Sequence, residues 1–199
     1  MKVIVVGASG TIGSAVVKAL AGRHEVIGVS RHSQPPVDLT SAASIEALFA
    51  AVGPVDAVVS CAGSAAFKPL DQLVDADFAL SLDNKLMGQV RLARAALSRV
   101  KPNGSITITS GVLAQRPMPG SAAVSLVNAG IEGFARAAAL EAPRGLRVNV
   151  VSPPWVDETL AKYGMQADQH LPAAVVARAY VAAIEGNDRG QVLDPAKYG

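Results

Sequence analysis

The first thirteen residues constrain the fold of this chain more than any other stretch. Lys2-Val3-Ile4-Val5-Val6 is a short apolar run rich in β-branched residues, and it leads without a break into Gly7-Ala8-Ser9-Gly10-Thr11-Ile12-Gly13. Helical apolar spacing then continues to Ala21. At such a strand-to-helix junction glycines let the backbone turn sharply and let a pyrophosphate approach it. The free amides and positive dipole end of the following helix stabilise the anion. Gly7, Ser9, Gly10, Thr11, Ile12 and Gly13 are therefore candidate phosphate contacts, with Ser9 and Thr11 adding hydroxyl donors. A plainer reading has the glycines serve only tight packing of strand against helix. The surrounding order favours the nucleotide site, because a second strand ends some twenty residues on at Val29-Ser30, where an adenosine ribose belongs.

Beyond this junction, Val- and Ile-rich runs alternate with longer alanine-rich stretches of helical period, the pattern of a parallel sheet covered on both faces. Strands are predicted over Lys2–Val6, Glu25–Ser30, Val55–Ser60, Ser105–Thr109 and Arg147–Val151, with short ones ending near Val37 and lying near Gln191–Leu193. Helices are predicted over Thr11–Ala21, Ala42–Ala51, Ala76–Val100, Ser121–Ala142 and Pro172–Glu185. Thr40 or Ser41 is placed to cap a helix start, and Pro172 has the fixed φ of a first helical position. Gly22, Pro143 and Gly145 mark helix ends. The expected fold is α/β: a three-layer, Rossmann-like, doubly wound parallel sheet of about seven strands with helices on both faces, residues 1–199 forming one domain. The least regular stretch, Pro153 to Leu171, follows the sixth strand of that order, where a loop would cover the ligand crevice.

Composition excludes several other classes. The formal charge is +2 and the 18 Lys and Arg residues are scattered, so no electrostatic stripe for nucleic acid is present. The single cysteine, Cys61, has no partner for an intramolecular bridge, and no Cys/His spacing resembles a zinc site. The opening apolar run is too short for a signal-peptide core or a membrane span. A cytoplasmic protein without a membrane partner is expected.

At the second strand end, a carboxylate would bind the ribose hydroxyls of NAD and repel the extra phosphate of NADP. Here the sequence reads Ser30-Arg31-His32-Ser33. Arg31 favours NADP(H) over NAD(H); the alternative is an arginine simply solvated in a loop. Asp38-Leu39 is positioned to place a carboxylate by an adenine amino group.

The order of these motifs resembles the short-chain dehydrogenase/reductase family over nearly the whole chain. Gly7–Gly13 stands for that family's cofactor turn, with a spacing closer to its extended and atypical branches. Ser60-Cys61-Ala62-Gly63 matches the family's Asn-Asn-Ala-Gly segment in its last two residues, so Ala62 and Gly63 are implied to approach the adenosine ribose. Asn84, in Leu82-Asp83-Asn84-Lys85-Leu86-Met87-Gly88, stands where relatives bend a central helix and hold a relay water; a lone helical Asn making a back-bond is the alternative. Ser110, in Thr109-Ser110-Gly111, aligns with the serine that polarises the substrate carbonyl. Val156 and Thr159 occupy positions that meet the nicotinamide amide and the phosphates, after a Pro153-Pro154 exit where relatives have Pro-Gly.

The stretch Pro119 to Gly130 aligns with the segment holding the family's Tyr-x-x-x-Lys, and it puts Val124 at the tyrosine and Asn128 at the lysine. Valine has no proton to give and asparagine no charge to tune one, although Asn128 can still hydrogen-bond a ribose. Ser110 and Asn84 remain as catalytic candidates. Tyr163 is either a replacement acid folding over the nicotinamide or an apolar plug; His170 has a weaker case, and Cys61 reads as a small core residue. Three functions follow: an NADP(H)-dependent oxidoreductase on a small carbonyl or alcohol with a rearranged relay, an NADP(H)-binding pseudoenzyme acting as sensor or interaction protein, or a structural protein with a vestigial site. The substrate loop offers Trp155, Tyr163, Met165 and Leu171 as apolar lining. The resemblance implies a homodimer or homotetramer paired through two long helices, and small residues along Ala122–Ala142 suit such packing.

Overall fold

The computed structural model describes residues Met1–Gly199. Its centre is a six-stranded parallel sheet formed by β1 (Lys2–Val6), β2 (Glu25–Val29), β3 (Val55–Ser60), β4 (Val100–Thr109), β5 (Arg147–Val151) and a short edge strand over Val192–Leu193, in the spatial order β2-β1-β3-β4-β5-edge. The order reverses between β1 and β3, so the helices that follow β1 and β2 lie on opposite faces. Helices α1 (Thr11–Leu20) and α7 (Ala173–Glu185) pack together on one face over Val3, Val5, Ala57 and Val59. On the other face α2 (Ala42–Val52), α4 (Gly88–Ala96) and α5 (Ala122–Glu141) cover Ile4, Val58, Ile106 and Val148. β1 thus contributes Ile4 and Val6 to one apolar layer and Val3 and Val5 to the other, which is why its sequence reads as a continuous Val/Ile run.

Local chemistry sets the boundaries. Ser41, not Thr40, caps α2, its Oγ accepting from the Ser44 amide at 3.2 Å. Gly22 takes a left-handed φ just past α1 and Gly145 does so before β5. Pro172 precedes the first residue of α7. No helix is long and apolar enough to cross a membrane.

Three predicted elements take other forms. The short strand ending near Val37 is a turn and an extended loop; Val37 and Leu39 are buried, but Val37 bonds back to the Ser30 carbonyl at 2.9 Å instead of joining the sheet, which leaves six strands. The long helix over Ala76–Val100 is divided into α3 (Asp75–Ser81), a π-helical turn over Leu82–Met87, and α4, and the chain has left the helix by Leu97 to begin β4 at Val100. β-Branched Val100 pairs with Val55 across a register irregularity in the β3–β4 ladder, a tertiary demand that overrides the helical period. Within Pro153–Leu171, Trp155–Val156 (β6) pairs in parallel with His170–Leu171 (β7), and α6 (Asp157–Tyr163) lies between them; the edge strand Val192–Leu193 is β8.

One buried side chain completes the sheet where β3 stops short. Gln89 of α4 accepts from the Thr109 amide at 2.7 Å and donates to the Thr109 carbonyl at 2.6 Å, acting as the missing strand neighbour at the carboxyl end of β4. Thr109 Oγ1 in turn donates to the Ser60 carbonyl at 2.5 Å and lies 2.6 Å from the Tyr180 hydroxyl. Replacing Gln89 by the similarly shaped Met leaves two buried backbone groups unpaired, at about 1–3 kcal/mol each. Gln89→Met should therefore lower unfolding stability by roughly 2–6 kcal/mol, read as a shift of the urea midpoint at constant m; an unchanged midpoint would show that the sheet end closes without it.

Candidate functional site

The carboxyl ends of β1, β3, β4 and β5 open on one edge of the sheet, and a cleft of about 470 Å³ lies across them. Its lining runs from Ile12 in the glycine turn, through Ala62 and Gly63 after β3, to Ser110 after β4, Asn128 on α5, and Val156 and Thr159 beyond β5.

The glycine turn is held by backbone contacts that leave no room for side chains. Gly7 has φ +85°, and a Cβ there would stand 3.0 Å from both the Cys61 carbonyl carbon and the Ala62 nitrogen. A Cβ on Gly13 would fall 2.0 Å from the Gly7 oxygen. The Gly7 and Ala8 amides are spent on the Val29 carbonyl at 2.8 and 3.1 Å and that of Gly10 on Gly7 at 2.9 Å, whereas the amides of Ser9, Thr11, Ile12 and Gly13 have no protein partner. No side chain caps α1 either. A helix start with four unpaired amides and no side-chain cap is an arrangement that can receive an anion.

Arg31 is exposed in the turn that follows β2 and forms no ion pair. Asp38 lies further along the same loop; its Oδ1 accepts from the Thr40 amide at 2.9 Å and hydroxyl at 2.8 Å. Those bonds, with a weaker contribution from Arg31, hold its carboxyl below the ordinary range. Leu39 is buried against Gly88.

At the other end of the cleft the expected catalytic side chains are placed differently from one another. Asn84 sits in the π-helical turn but does not line the cleft: its Oδ1 accepts from the Ser64 amide at 2.7 Å and ties the loop after β3 to the helix. Ser110 lines the cleft, yet its hydroxyl donates at 2.9 Å to Glu132, a carboxyl only 4 % exposed on α5. Gln115 Nε2 donates to both Glu132 oxygens, at 2.6 and 2.5 Å, and fixes that acceptor. Val124 and Asn128 both face the cleft from α5. Asn128 is 1 % exposed; its Nδ2 donates to the Gly111 carbonyl at 3.3 Å, while its Oδ1 is buried without a partner.

Lys85 is the side chain that reading the sequence as one straight helix missed. The π-helical turn presents it to the cleft, and its Nζ donates to the Ser110 carbonyl at 3.3 Å. No carboxylate pairs with it, so desolvation alone pulls its ammonium down to about 8. Glu132 was equally unmarked, although a signal for it exists: Val124, Asn128 and Glu132 recur every fourth residue and share one face of α5.

The other candidates separate cleanly. Tyr163 stands at the rim, 64 % exposed and beneath Lys162 Nζ at 5.5 Å from its ring, and is therefore no buried plug. His170 lies outside the cleft, its Nδ1 2.6 Å from Asp157. Met165 and Leu171 also lie outside it; the apolar lining is instead Phe67, Trp155, Val112 and Leu113, with Phe67 edge-on to Trp155 at 5.8 Å. Cys61 lines the floor, and burial pushes its thiol up to about 12.

An α/β cleft at a topological switch point, with an open glycine-rich helix start, defines a nucleotide-binding class, and comparison with known proteins narrows it. Residues 2–190 match the family model described as enoyl-(acyl carrier protein) reductase. The solved protein lin1944 from Listeria innocua is 38 % identical with a TM-score of 0.94, covering 98 % of each chain. A small-chain dehydrogenase solved in complex with NADPH is 26 % identical with a TM-score of 0.85, covering 98 % of this chain and 95 % of that one. Among curated relatives, hydroxynaphthalene reductase arp2 of Aspergillus fumigatus is 35 % identical over 60 % of this chain and 45 % of its own. The 3-oxoacyl-[acyl-carrier-protein] reductase of Rattus norvegicus is 31 % identical over 56 % and 48 %. The chain spans about half the length of these curated relatives. It belongs to the short-chain dehydrogenase/reductase family of oxidoreductases.

The Cys61 environment makes a direct prediction. A thiol at about 12 instead of 9.0 carries about a thousandth of the thiolate near neutral pH. Iodoacetamide should alkylate Cys61 on the order of a thousandfold more slowly in the folded protein than in urea, followed by mass spectrometry; equal rates would place Cys61 in a reactive environment.

Proposed function

We propose that the protein is an NADP(H)-dependent oxidoreductase acting on a small carbonyl or alcohol. The observation that carries this reading is one continuous cleft joining an open anion site at Ile12 to a polar reaction end at Lys85, Ser110 and Asn128. The residues present fit a dinucleotide: a Cβ would fill the cradle at Gly7 and Gly13, four turn amides lack partners, and the buried Asn128 Oδ1 waits for a donor.

In this reading Gly7, Ser9, Gly10, Thr11, Ile12 and Gly13 hold the pyrophosphate and Arg31 pairs with the ribose phosphate of NADP. Asp38 and Leu39 flank the adenine, Ala62 and Gly63 the adenosine ribose. Asn128 receives the nicotinamide ribose, and Val156 and Thr159 the carboxamide and phosphates. When bound, the nicotinamide supplies or accepts a hydride at the substrate carbon. The chain's own part is to orient the substrate over an apolar wall of Phe67, Val112 and Trp155 and to move the accompanying proton. Asn84 contributes by fixing the loop at Ser64, and Ser110 by its place between Lys85 and Glu132. The NADPH complex of a similar small-chain dehydrogenase supports the choice of cofactor.

Val124 favours a second reading, because it puts an apolar group on the cleft where the family resemblance requires an acid. There the protein binds NADP(H) as a sensor without turnover. Titration of Trp155 fluorescence and of thermal stability with NADPH and NADH tests the shared part, since a ligand that binds the fold raises its apparent stability. NADPH is expected to bind about tenfold or more tightly than NADH, a difference of ~1.4 kcal/mol from a charge-assisted pair. Arg31→Asp should reverse the order; equal affinities before and after discard the role of Arg31. Oxidation of NADPH by any member of a carbonyl panel then separates enzyme from sensor.

The same reading includes self-association through the solvent faces of α4 and α5, where Leu126 is 50 % and Leu140 84 % exposed. Light scattering is expected to give the mass of a dimer or tetramer. A monomer at all concentrations removes this part.

A further inference from the structure

The proton donors at the reaction end of the cleft differ in what holds them. The Ser110 hydroxyl carries one proton, and it is directed at Glu132. Asn128 is an amide and Val124 has no donor at all. Of the lining residues only Cys61, Lys85 and Tyr163 titrate. Cys61 holds its proton to about 12, and Tyr163 is at the rim, largely in water. Lys85 is different: its ammonium has three N–H groups, of which one is bonded to the Ser110 carbonyl.

The backbone is shaped to bring this amine in. Lys85 lies on the π-helical turn, and wide turns of this kind mark functional sites. Gly63 lets its stem pass, since a Cβ at that position would stand 3.0 Å from Lys85 Cγ and 3.2 Å from its Cα. The carbonyls of Ser110 and Gly111, adjacent in the chain, are taken by Lys85 Nζ and Asn128 Nδ2, so both side chains converge on one loop.

We propose that Lys85 is the proton donor in carbonyl reduction and the proton acceptor in alcohol oxidation, the role for which Val124 has no group. The proposal rests on the NADP(H) reading above. As the carbonyl carbon takes the hydride of a reduced nicotinamide, the C=O π pair moves to oxygen, one Lys85 N–H bond breaks and an O–H bond forms. Lys85 is left as a neutral amine, which regains its proton from water at the cleft mouth; oxidation runs the same transfers backwards. The charges around Lys85 leave it free to do this. Asp83 pairs with Arg91, Asp77 with Lys68, and Glu132 is occupied by Ser110 and Gln115, with Arg136 at 3.9 Å on its far oxygen. A value of about 8, set by desolvation, suits an acid or base working near neutrality.

The sign of the pH dependence follows. Reduction needs the ammonium and should fall as pH rises through about 8, while oxidation should rise over the same interval. Folding has its own signature: because the folded value lies below the ordinary 10.5, the unpaired ammonium penalises the fold fully below about 8, and the penalty fades towards 10.5.

The experiment uses the full chain and begins without cofactor. In protein grown with ε-carbon-labelled lysine, the resonance missing from Lys85→Met is expected to titrate near 8, and Lys85→Met is expected to have a higher Tm than the parent at neutral pH. Titration at the ordinary 10.5 with an unchanged or lower Tm overturns the proposal. With NADPH and a carbonyl panel, Lys85→Met should lose a hundredfold or more in kcat, of the order general acids contribute, with cofactor affinity retained. Lys85→Arg keeps the charge and should lose the alkaline limb near 8 together with most of kcat. Wild-type kcat and pH profile in Lys85→Met, with NADPH still bound, overturn the proposal alone. Binding without turnover of any carbonyl overturns it in favour of the sensor, and failure to bind either nucleotide overturns the NADP(H) reading and the proposal together.

Discussion

The close approach of the glycine turn to the end of β3 is the contact on which the cleft depends. Gly7 lies against Cys61 and Ala62 at a separation that a single Cβ would violate, and Gly13 lies against Gly7 more closely still. This fixes the start of α1 beside the β3 end and keeps its first amides facing outward with nothing to bond. The polarity of the site is a consequence of backbone position, since amides held open by steric fit cost no reorganisation when an anion arrives. From there the loop after β3 passes Gly63, which admits Lys85, and Ser64, which is pinned by Asn84. The glycine turn and the Lys85 end of the cleft are thus connected by four residues of one loop, Cys61 to Ser64.

A second constraint comes from below. The carboxyl end of β4 extends beyond its neighbour β3, and the Gln89 side chain makes both of the backbone bonds a strand would have made. That arrangement holds Thr109 in register with Val151 and the Ser110 amide on the Val151 carbonyl, and so sets the carbonyl on which Lys85 rests. Tyr180 and Thr109 fill the space beneath with a buried hydroxyl pair, and burial raises the phenol well above its ordinary value. That tyrosine is a structural hydroxyl, shut away from solvent under the floor of the cleft.

Most of the architecture was legible because the strands announce themselves. Val3 to Val6, Ala57 to Val59 and Val150 to Val151 are buried on both faces, and burial on both faces favours uninterrupted apolar residues. The same logic explains the failures. Val37 is buried yet not in the sheet, because hydrophobicity reports burial and not ladder hydrogen bonds. Helical period around residues 82–87 is compatible with both α and π turns, so nothing in the spacing disclosed that Lys85 would face inward and Asn84 towards a loop. Ser110 was legible in position but not in the direction of its proton, which depends on a carboxyl 22 residues away.

That last residue bears on how a cleft with an apolar side chain at Val124 stays ordered. Glu132 is nearly buried on the same face of α5 as Val124 and Asn128, and a carboxyl there is tolerated because Ser110 and Gln115 both donate to it. Those donors tie α5 to the β4 exit at the height of the cleft, a connection that Val124 has no group to make. The polar groups on this face of α5 run from Asn128 one helical turn on to Glu132, and Lys85 faces them across the cleft from the π-helical turn. A charged or polar group thus lies on each side of Ser110: Lys85 at the carbonyl and Glu132 at the hydroxyl. Such bracketing holds the serine by two independent bonds, because rotating its side chain breaks the one to a buried carboxyl and shifting its backbone breaks the one from Lys85.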